Sequence, residues 1–387
     1  MIEAAYKYRI YPNEQQKEYF AKCFGCVRFF YNKSLEDTIN EYEKHKKRVN
    51  LTPAKYKNDF PFLKEVDSLA LANAQLNRNA AFTNFFRKNA EYPKFKSKRS
   101  KQSYTTNNQN GTISFSSNDK YINIPKCRNI KIKKHRPFNG IIKHATISKD
   151  CDGKYYISLY CLDNSDYSLS PVNKQIGVDL GIKKYLTMSN GRKIDNPKNL
   201  TKSQAKLAKE QRKLSHMKKG SNNYNKQKVK IAIVYKKITN QRNDFLQKIT
   251  TELVKENQII CSEKLTVRNM VKNHKLAKCI EDASWSTFCR YIEYKCKKFG
   301  RNYIQVPSNY ASSQICSSCG HKNEATKNLG VRNYVCPHCG SKLDRDVNAS
   351  INILRKGLEI YNKAGTQPVS LLMLDSSESS NKKPPLL

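Results

Sequence analysis

The 387-residue sequence predicts an α+β multidomain protein, and three patterns carry that prediction. Apolar residues recur at helical spacing from Phe20 through Phe24, Val27, Tyr31, Leu35 and Ile39 to Tyr42. Short stretches of period two crowd into 112–161, the pattern of half-buried strands. Two Cys-x-x-Cys pairs late in the chain mark a small metal-stabilised unit.

The chain opens with Tyr6, Tyr8 and Ile10 alternating with Lys7 and Arg9, which predicts a strand. Pro12 ends it, and Asn13 with Gln16 forms a capping box for the helix that follows. A second helix is expected over 67–88, rich in Ala and Leu, with Phe82, Phe85 and Phe86 near its end. Next comes a basic segment, 92–101, in which Lys94, Lys96, Lys98, Arg99 and Lys101 make five of the last eight residues cationic. A solvated loop would account for such a run. A strap on phosphates, with the interleaved Phe95 and Tyr104 stacking on bases, fits a chain of this charge better.

Strands are expected at 112–116, 120–124, 129–133, 141–148 and 154–161, with a hairpin turn at Asp152-Gly153. Their close spacing predicts a small barrel. Residues 163–173 read as a linker. A strand at 175–180 and a turn at Asn190-Gly191 lead into a long helical stretch, 202–256, broken near 220–223. Residues 202–248 hold 14 basic and 2 acidic side chains, so one face packs while the rest presents cations. A strand at 258–261, a helix at 283–299 and a strand at 303–306 follow, and 363–387 is expected to be disordered.

The formal charge is +40, from 72 Lys and Arg against 32 Asp and Glu. A compact chain with that surplus repels itself until a polyanion neutralises it, so nucleic acid is the expected partner. No apolar run approaches the roughly 20 residues of a membrane span. The first residues lack a signal peptide's apolar core. The expectation is a soluble cytoplasmic protein with no membrane partner. Thirteen cysteines, an odd number in a chain of this size, argue for reduced thiols and metal clusters rather than a disulfide framework.

Cys316, Cys319, Cys336 and Cys339 are the strongest local signal: two knuckles, each followed directly by a glycine, supply four thiolates. Such a set suits structural Zn2+ and leaves no open position for catalysis. Cys23 and Cys26 share the spacing but lie inside the first helix with no second pair nearby, so they read as packing residues.

Acids are scarce, and some sit where acids need a reason. Asp179 interrupts the apolar strand Ile-Gly-Val-Asp-Leu-Gly. Glu263 follows Ile-Ile-Cys-Ser. Asp344 and Asp346 open an amphipathic helix carrying Val347, Ile351, Leu354 and Leu358. Singly, each has a bland account as a turn, a surface residue or a helix cap. Together they suggest a divalent-metal site, because converging carboxylates repel unless a cation or a proton intervenes.

The order of these motifs resembles one family. Gly-Val-Asp-Leu-Gly around Asp179, Glu263 after Ile-Ile-Cys-Ser, the two knuckles, and Leu-Asp-Arg-Asp-Val-Asn-Ala-Ser-Ile-Asn-Ile resemble TnpB, the transposon-encoded relatives of type V CRISPR effector nucleases. Tyr-Lys-Tyr-Arg-Ile-Tyr-Pro, Phe-Gly-Cys-Val-Arg-Phe-Phe-Tyr-Asn and Tyr-Pro-Lys-Phe-Lys-Ser-Lys resemble the same family, so the match spans about 5–360. Ala349-Ser350 stands where Ala-Ala is usual, a change the small side chain should tolerate.

The resemblance implies a RuvC-like nuclease domain of RNase H fold at 171–310 and 341–362, interrupted by a zinc ribbon at 311–340 that binds target nucleic acid. It also implies a helical recognition lobe at 12–107 and a β-barrel wedge domain from 1–11 and 108–170. Asp179, Glu263 and Asp346 would hold Mg2+, expected as two ions, and Asp346 is preferred to Asp344 because it occupies the Asp-x-Asn-Ala position. The implied activity is RNA-guided cutting of double-stranded DNA beside a short motif, with a guide RNA from the transposon end and a monomeric protein in the RNA complex. A strand-transferring transposase and a non-catalytic RNA- or DNA-binding regulator are the alternatives.

Overall fold

The structure is a computed structural model that describes residues 2–46, 49–136, 140–327, 330 and 332–365. The chain divides into two compact units, the first ending at Ser165 and the second beginning at Asp166. Among the described residues, no helix is long and apolar enough to cross a membrane. The tail expected to be disordered lies, from 366 on, outside the described residues.

The first unit contains β1 (Ile2–Tyr11), α1 (Glu14–His45), α2 (Pro53–Asp59), α3 (Ser68–Phe86), β2 (Gln102–Asn107), β3 (Ser114–Phe115), β4 (Tyr121–Ile124), β5 (Cys127–Lys133), β6 (Gly140–Lys149) and β7 (Tyr155–Asp163). The capping box forms as read: the Asn13 side chain accepts from the Gln16 amide at 2.9 Å, and the Gln16 side chain accepts from the Asn13 amide at 3.0 Å. The stripe on α1 buries Phe20, Phe24, Val27, Tyr31 and Leu35, and Cys23 and Cys26 are buried with it. Apolar burial of this kind is the main drive for docking an amphipathic helix.

The seven strands form one antiparallel sheet in the order β2-β6-β7-β1-β5-β4-β3. β2 precedes residue 112, where the first of the barrel strands was expected. Its Gln-Ser-Tyr-Thr-Thr-Asn carries little apolar signal, yet it pairs along its whole length with β6. This overturns the stacking role given to Tyr104, which is 3% exposed and packs between Phe20 and Phe24.

The second unit contains β8 (Gln175–Leu180), β9 (Lys184–Met188), β10 (Lys193–Asp195), α4 (Asn199–Ser215), α5 (Asn222–Glu256), β11 (Ile259–Glu263), α6 (Val267–Met270), α7 (His274–Ala283), α8 (Trp285–Phe299), β12 (Asn302–Val306), β13 (Asn333–Val335), β14 (Lys342–Asp344) and α9 (Arg345–Lys363). Its main sheet runs β10-β9-β8-β11-β12. β8, β9 and β10 are an antiparallel meander, whereas β8, β11 and β12 are parallel.

Strand alternation sends side chains to two faces. Ile176, Val178, Leu186 and Ile260 join Leu246, Ile249 and Leu253 of α5 and Phe288 and Ile292 of α8. On the other face Ile259, Cys261, Ile304 and Val306 meet Ile353, Leu354 and Leu358 of α9. Here α9 seats almost directly on the strands. A Cβ on Gly177 would lie 2.1 Å from the Ser350 carbonyl oxygen, and one on Gly357 would lie 2.3 Å from the Cys261 sulfur. Glycine is required at both positions by close approach, not by an unusual backbone angle.

Candidate functional site

The face alternation just described decides where the acids go. Asp179 is two residues beyond Gly177 and Glu263 two beyond Cys261, so both share the face that α9 covers. The parallel register pairs Ser262 with Val178, which sets Glu263 and Asp179 at adjacent strand ends. Asp346 lies in the first turn of α9. Charge interaction links the group: burial, then the Glu263 and Asp346 carboxylates, push the Asp179 carboxyl up to about 7, with Arg345 opposing. Burial also raises Glu263, against a hydrogen bond from Ser312. Among the described residues, the four cysteines are the group of three or more possible ligands whose atoms lie close enough for one ion, and the three acids are more widely spaced.

Asp344 and Asp346 separate in role. Asp344 is the N-cap of α9 and accepts from the amides of Asp346 and Val347, each at 3.1 Å, while its other oxygen meets Lys193 at 2.7 Å. Burial would raise its carboxyl, but Lys193 and the two amides hold it below its ordinary value. Asp346 has a looser setting, with Arg345 at 3.5 Å and Arg332 at 3.8 Å.

The cysteine cluster is compact. The four sulfurs lie within 4.8 Å of one another, with Cys316–Cys339 at 3.7 Å and Cys319–Cys336 at 3.6 Å. Zinc held about 2.3 Å from each of four tetrahedral sulfurs would set them about 3.8 Å apart, so the set fits Zn2+. The two knuckles fold alike: the Gly320 amide reaches the Cys316 carbonyl at 2.9 Å, the Gly340 amide reaches the Cys336 carbonyl at 3.0 Å, and both glycines have positive φ. Among the described residues, the unit's own apolar core is Cys316, Tyr334 and Cys336, too small to fold unaided. β14 pairs with β13 and leads directly into α9.

Polar residues to which the sequence assigned no role of their own tie this unit to the acids. The Ser312 hydroxyl donates to Glu263. Asn348 accepts from the Ser317 amide at 2.8 Å and donates to the Ile315 carbonyl at 2.7 Å. Asn352 donates to the carbonyls of Ser312 at 2.9 Å and Ile315 at 2.6 Å. Both asparagines are fully buried on α9, where each hydrogen bond matters. Ser350, also buried, donates to the Val347 carbonyl, so the small polar side chain fits.

The cationic strap lies in the first unit. Lys98, Arg99 and Lys101 are exposed. Lys94 pairs with Glu91, and Lys96 is half-buried with its ammonium 3.8 Å from the Tyr31 ring centroid.

Comparison with known proteins bears on all of this. A profile described as a probable transposase matches 160–274, and one described as a Cas12f1-like TNB domain matches 285–353. A protein of Streptomyces pristinaespiralis named "Putative RNA-guided DNA endonuclease" is 37% identical over 373 residues, covering 92% of this chain and 90% of its own. The chain belongs to the TnpB family. A second relative, InsQ of Escherichia coli K12, whose name carries the same description, is 30% identical over 91% of this chain and 92% of its own. The TnpB chain also shares its fold with the protein in a Cas12f1–sgRNA–target DNA complex, at a TM-score of 0.59 and 15% identity over 88% of this chain and 83% of that one. A helix-turn-helix profile matches 1–47, a stretch that in this TnpB protein folds as β1 and the single helix α1.

Proposed function

We propose that the protein is an RNA-guided, magnesium-dependent DNA endonuclease encoded by a transposable element. What supports this reading is the charge interaction of Asp179 with Glu263 and Asp346, two acids at adjacent strand ends and one in the first turn of α9, in a chain of charge +40. The names of its relatives support it.

The strand order of the second unit, a three-stranded meander followed by two parallel strands, supports a RuvC-like RNase H fold interrupted by the zinc ribbon. The first unit supplies a wedge domain from its sheet and a recognition lobe from α1 to α3. Mg2+, taken as two ions, would be held by Asp179, Glu263 and Asp346, and would activate a water and stabilise the leaving oxygen of a phosphodiester. Asp179, buried among like charges, gives up its proton readily only when a cation compensates. Ser312 fixes one oxygen of Glu263, and the N-cap Asp344 fixes the turn that carries Asp346. Lys and Arg side chains hold the guide RNA and target duplex by their backbones while base pairing reads sequence. The protein works in the cytoplasm, at the nucleoid when on DNA, as a monomer in its RNA complex.

The test compares wild type with Asp179→Ala in one preparation. The variant should lose target cleavage and keep RNA binding. Surviving cleavage defeats the assignment of the acids. Strand-transfer product formed without added RNA identifies a transposase instead, and binding without any metal-dependent cleavage by wild type identifies a regulator.

A further inference from the structure

The sequence assigned base stacking to Phe95 and Tyr104, and Tyr104 proved buried. The exposed aromatic surface lies instead where α3 ends. Phe82, Phe85 and Phe86 project from its last turn, and the chain reverses at Arg87–Ala90, where the Asn89 amide returns to the Asn84 carbonyl at 2.9 Å. This reversal lays Tyr92 against them. Ring centroids are 5.1 Å apart for Phe85–Tyr92, 5.4 Å for Phe85–Phe86 and 5.9 Å for Phe82–Tyr92. Phe86 is 62% exposed, Tyr92 45%, and Phe95 just beyond is 58%. A contiguous exposed apolar patch rimmed by charge marks an interaction site.

We propose that this ledge is a stacking site for successive unpaired bases of a single nucleic-acid strand. The inference rests on the reading that the chain holds nucleic acid, and goes beyond it by naming a subsite and the form of strand it takes. Charge selects the occupant: exposed Arg87, Lys88, Lys98, Arg99 and Lys101 flank the rings in sequence, so a second copy of this +40 chain would be repelled where a phosphate backbone is drawn in. Ring orientation selects the strand. Phe82 and Phe86 lie near parallel, at 21° and 6.4 Å between centroids, but Tyr92 stands at 87° to Phe82 and 82° to Phe85, and Phe85 at 60° to Phe86, so the rings share no single plane. A blunt duplex end needs one flat platform about a base pair wide. Facets at steep angles suit bases that have left their stack and turn independently. Phosphates between such bases fall to the cations of the strap, which begins immediately after Tyr92.

The experiment uses the full chain and a single-stranded DNA oligonucleotide carrying a fluorescent adenine analogue that is quenched on stacking. Wild type should quench the probe. Phe86→Ala/Tyr92→Ala should weaken binding roughly fivefold to a hundredfold, with the slope of log affinity against log salt unchanged. Lys98→Gln/Arg99→Gln should lower that slope and leave quenching at saturation intact. Phe86→Trp/Tyr92→Trp, which keeps the rings, should restore or deepen quenching and serves as the test even if the alanine variant folds poorly. Equal binding and quenching by the folded alanine variant, no quenching by the tryptophan variant, or preference of wild type for a blunt duplex of equal length would each overturn the ledge. So would self-association of nucleic-acid-free wild type that the alanine pair abolishes. If wild type binds no nucleic acid at all, the nuclease reading fails as well; if it binds and only the aromatic variants are silent, the ledge alone fails.

Discussion

Ser312 donates its hydroxyl hydrogen to a carboxylate oxygen of Glu263. The two residues belong to different pieces of the second unit, one at the entrance to the zinc ribbon and the other at the end of β11. The Ser312 carbonyl is itself held by Asn352 of α9 at 2.9 Å, so one buried residue joins the ribbon, a strand and the helix that carries Asp346.

Removing that hydroxyl should therefore disturb metal use more than folding. Ser312→Ala is expected to lower cleavage at limiting Mg2+ by roughly tenfold or more, with partial recovery at high Mg2+. Burial, no longer opposed by the hydrogen bond, should push Glu263 further up, moving the rising limb of the pH–rate profile to higher pH. A Mg2+ titration at several pH values checks both, and zinc content should stay unchanged.

Zinc loss should reach the acids through the same contacts. In Cys336→Ser the ribbon loses a ligand, and its three-residue core cannot hold it. Cleavage should fall to background because Ser312 and Arg332 both come from the ribbon side of the site. Hydrogen exchange should accelerate within 311–344 and stay unchanged in the first unit. A zinc-free variant that still cuts would uncouple the two sites.

Asp179 sets a pH dependence in the absence of divalent cations. Its carboxyl rises from an ordinary 3.8 to about 7 in the folded protein. A raised pKa means that the native state tolerates the protonated form and loses stability as pH rises through the folded value. Without divalent ions, Asp179→Asn should gain on wild type by a few degrees of Tm as pH increases from about 4 to 7. Added Mg2+ should shrink that gain. Parallel melting curves across pH, with and without Mg2+, decide it.

Lys295 behaves in the opposite sense. It is 4% exposed, and burial brings its ammonium down from 10.5 to about 8. Its donors reach the Gln247 carbonyl at 2.9 Å and the hydroxyls of Thr250 and Thr251 at 2.7 Å, with no carboxylate among these partners. With the folded value depressed, stability is lost as pH falls through it. Lys295→Met should thus compare most favourably with wild type below about pH 8 and lose that advantage toward pH 10. Differential scanning calorimetry over this range checks the trend; a constant difference would contradict it.

Gly177→Ala tests the seating of α9. The added methyl would meet backbone atoms, at 2.1 Å from the Ser350 oxygen and 2.7 Å from the Leu354 nitrogen, and backbone cannot swing aside. A loss of about 2–3 kcal/mol is expected from denaturant melts. Cleavage should drop beyond what the lost stability explains, because Asp346 moves with the helix.

Much of this architecture was legible in the residues. The Asn13–Gln16 box, the α1 stripe and the paired knuckles are local patterns in which spacing and chemistry coincide. Asp179 stood out because an acid in an apolar strand demands a reason. Its grouping with Glu263 and Asp346 as metal ligands came only from the family resemblance, since no local pattern encodes strand register. β2 was missed because its polar residues alternate without an apolar face, and Tyr104 was consequently read as a stacking ring. The linking roles of Ser312, Asn348 and Asn352 were not legible: Asn348 served only to mark the Asp-x-Asn-Ala position, and a loop serine and helix asparagines look solvent-facing until the cysteine unit covers them. Lys295 was invisible for the same reason, one lysine among many.

The chain order of the three acids has a consequence for synthesis. Asp179 and Glu263 emerge from the ribosome well before Asp346, which comes only after the ribbon has been made and α9 has begun. Since translation runs from the N-terminus and units fold as they appear, the first unit can form while Asp346 has yet to be made. A chain that stops short of α9 therefore carries Asp179 and Glu263 without Asp346, and on the proposed assignment the capacity to cut arrives last.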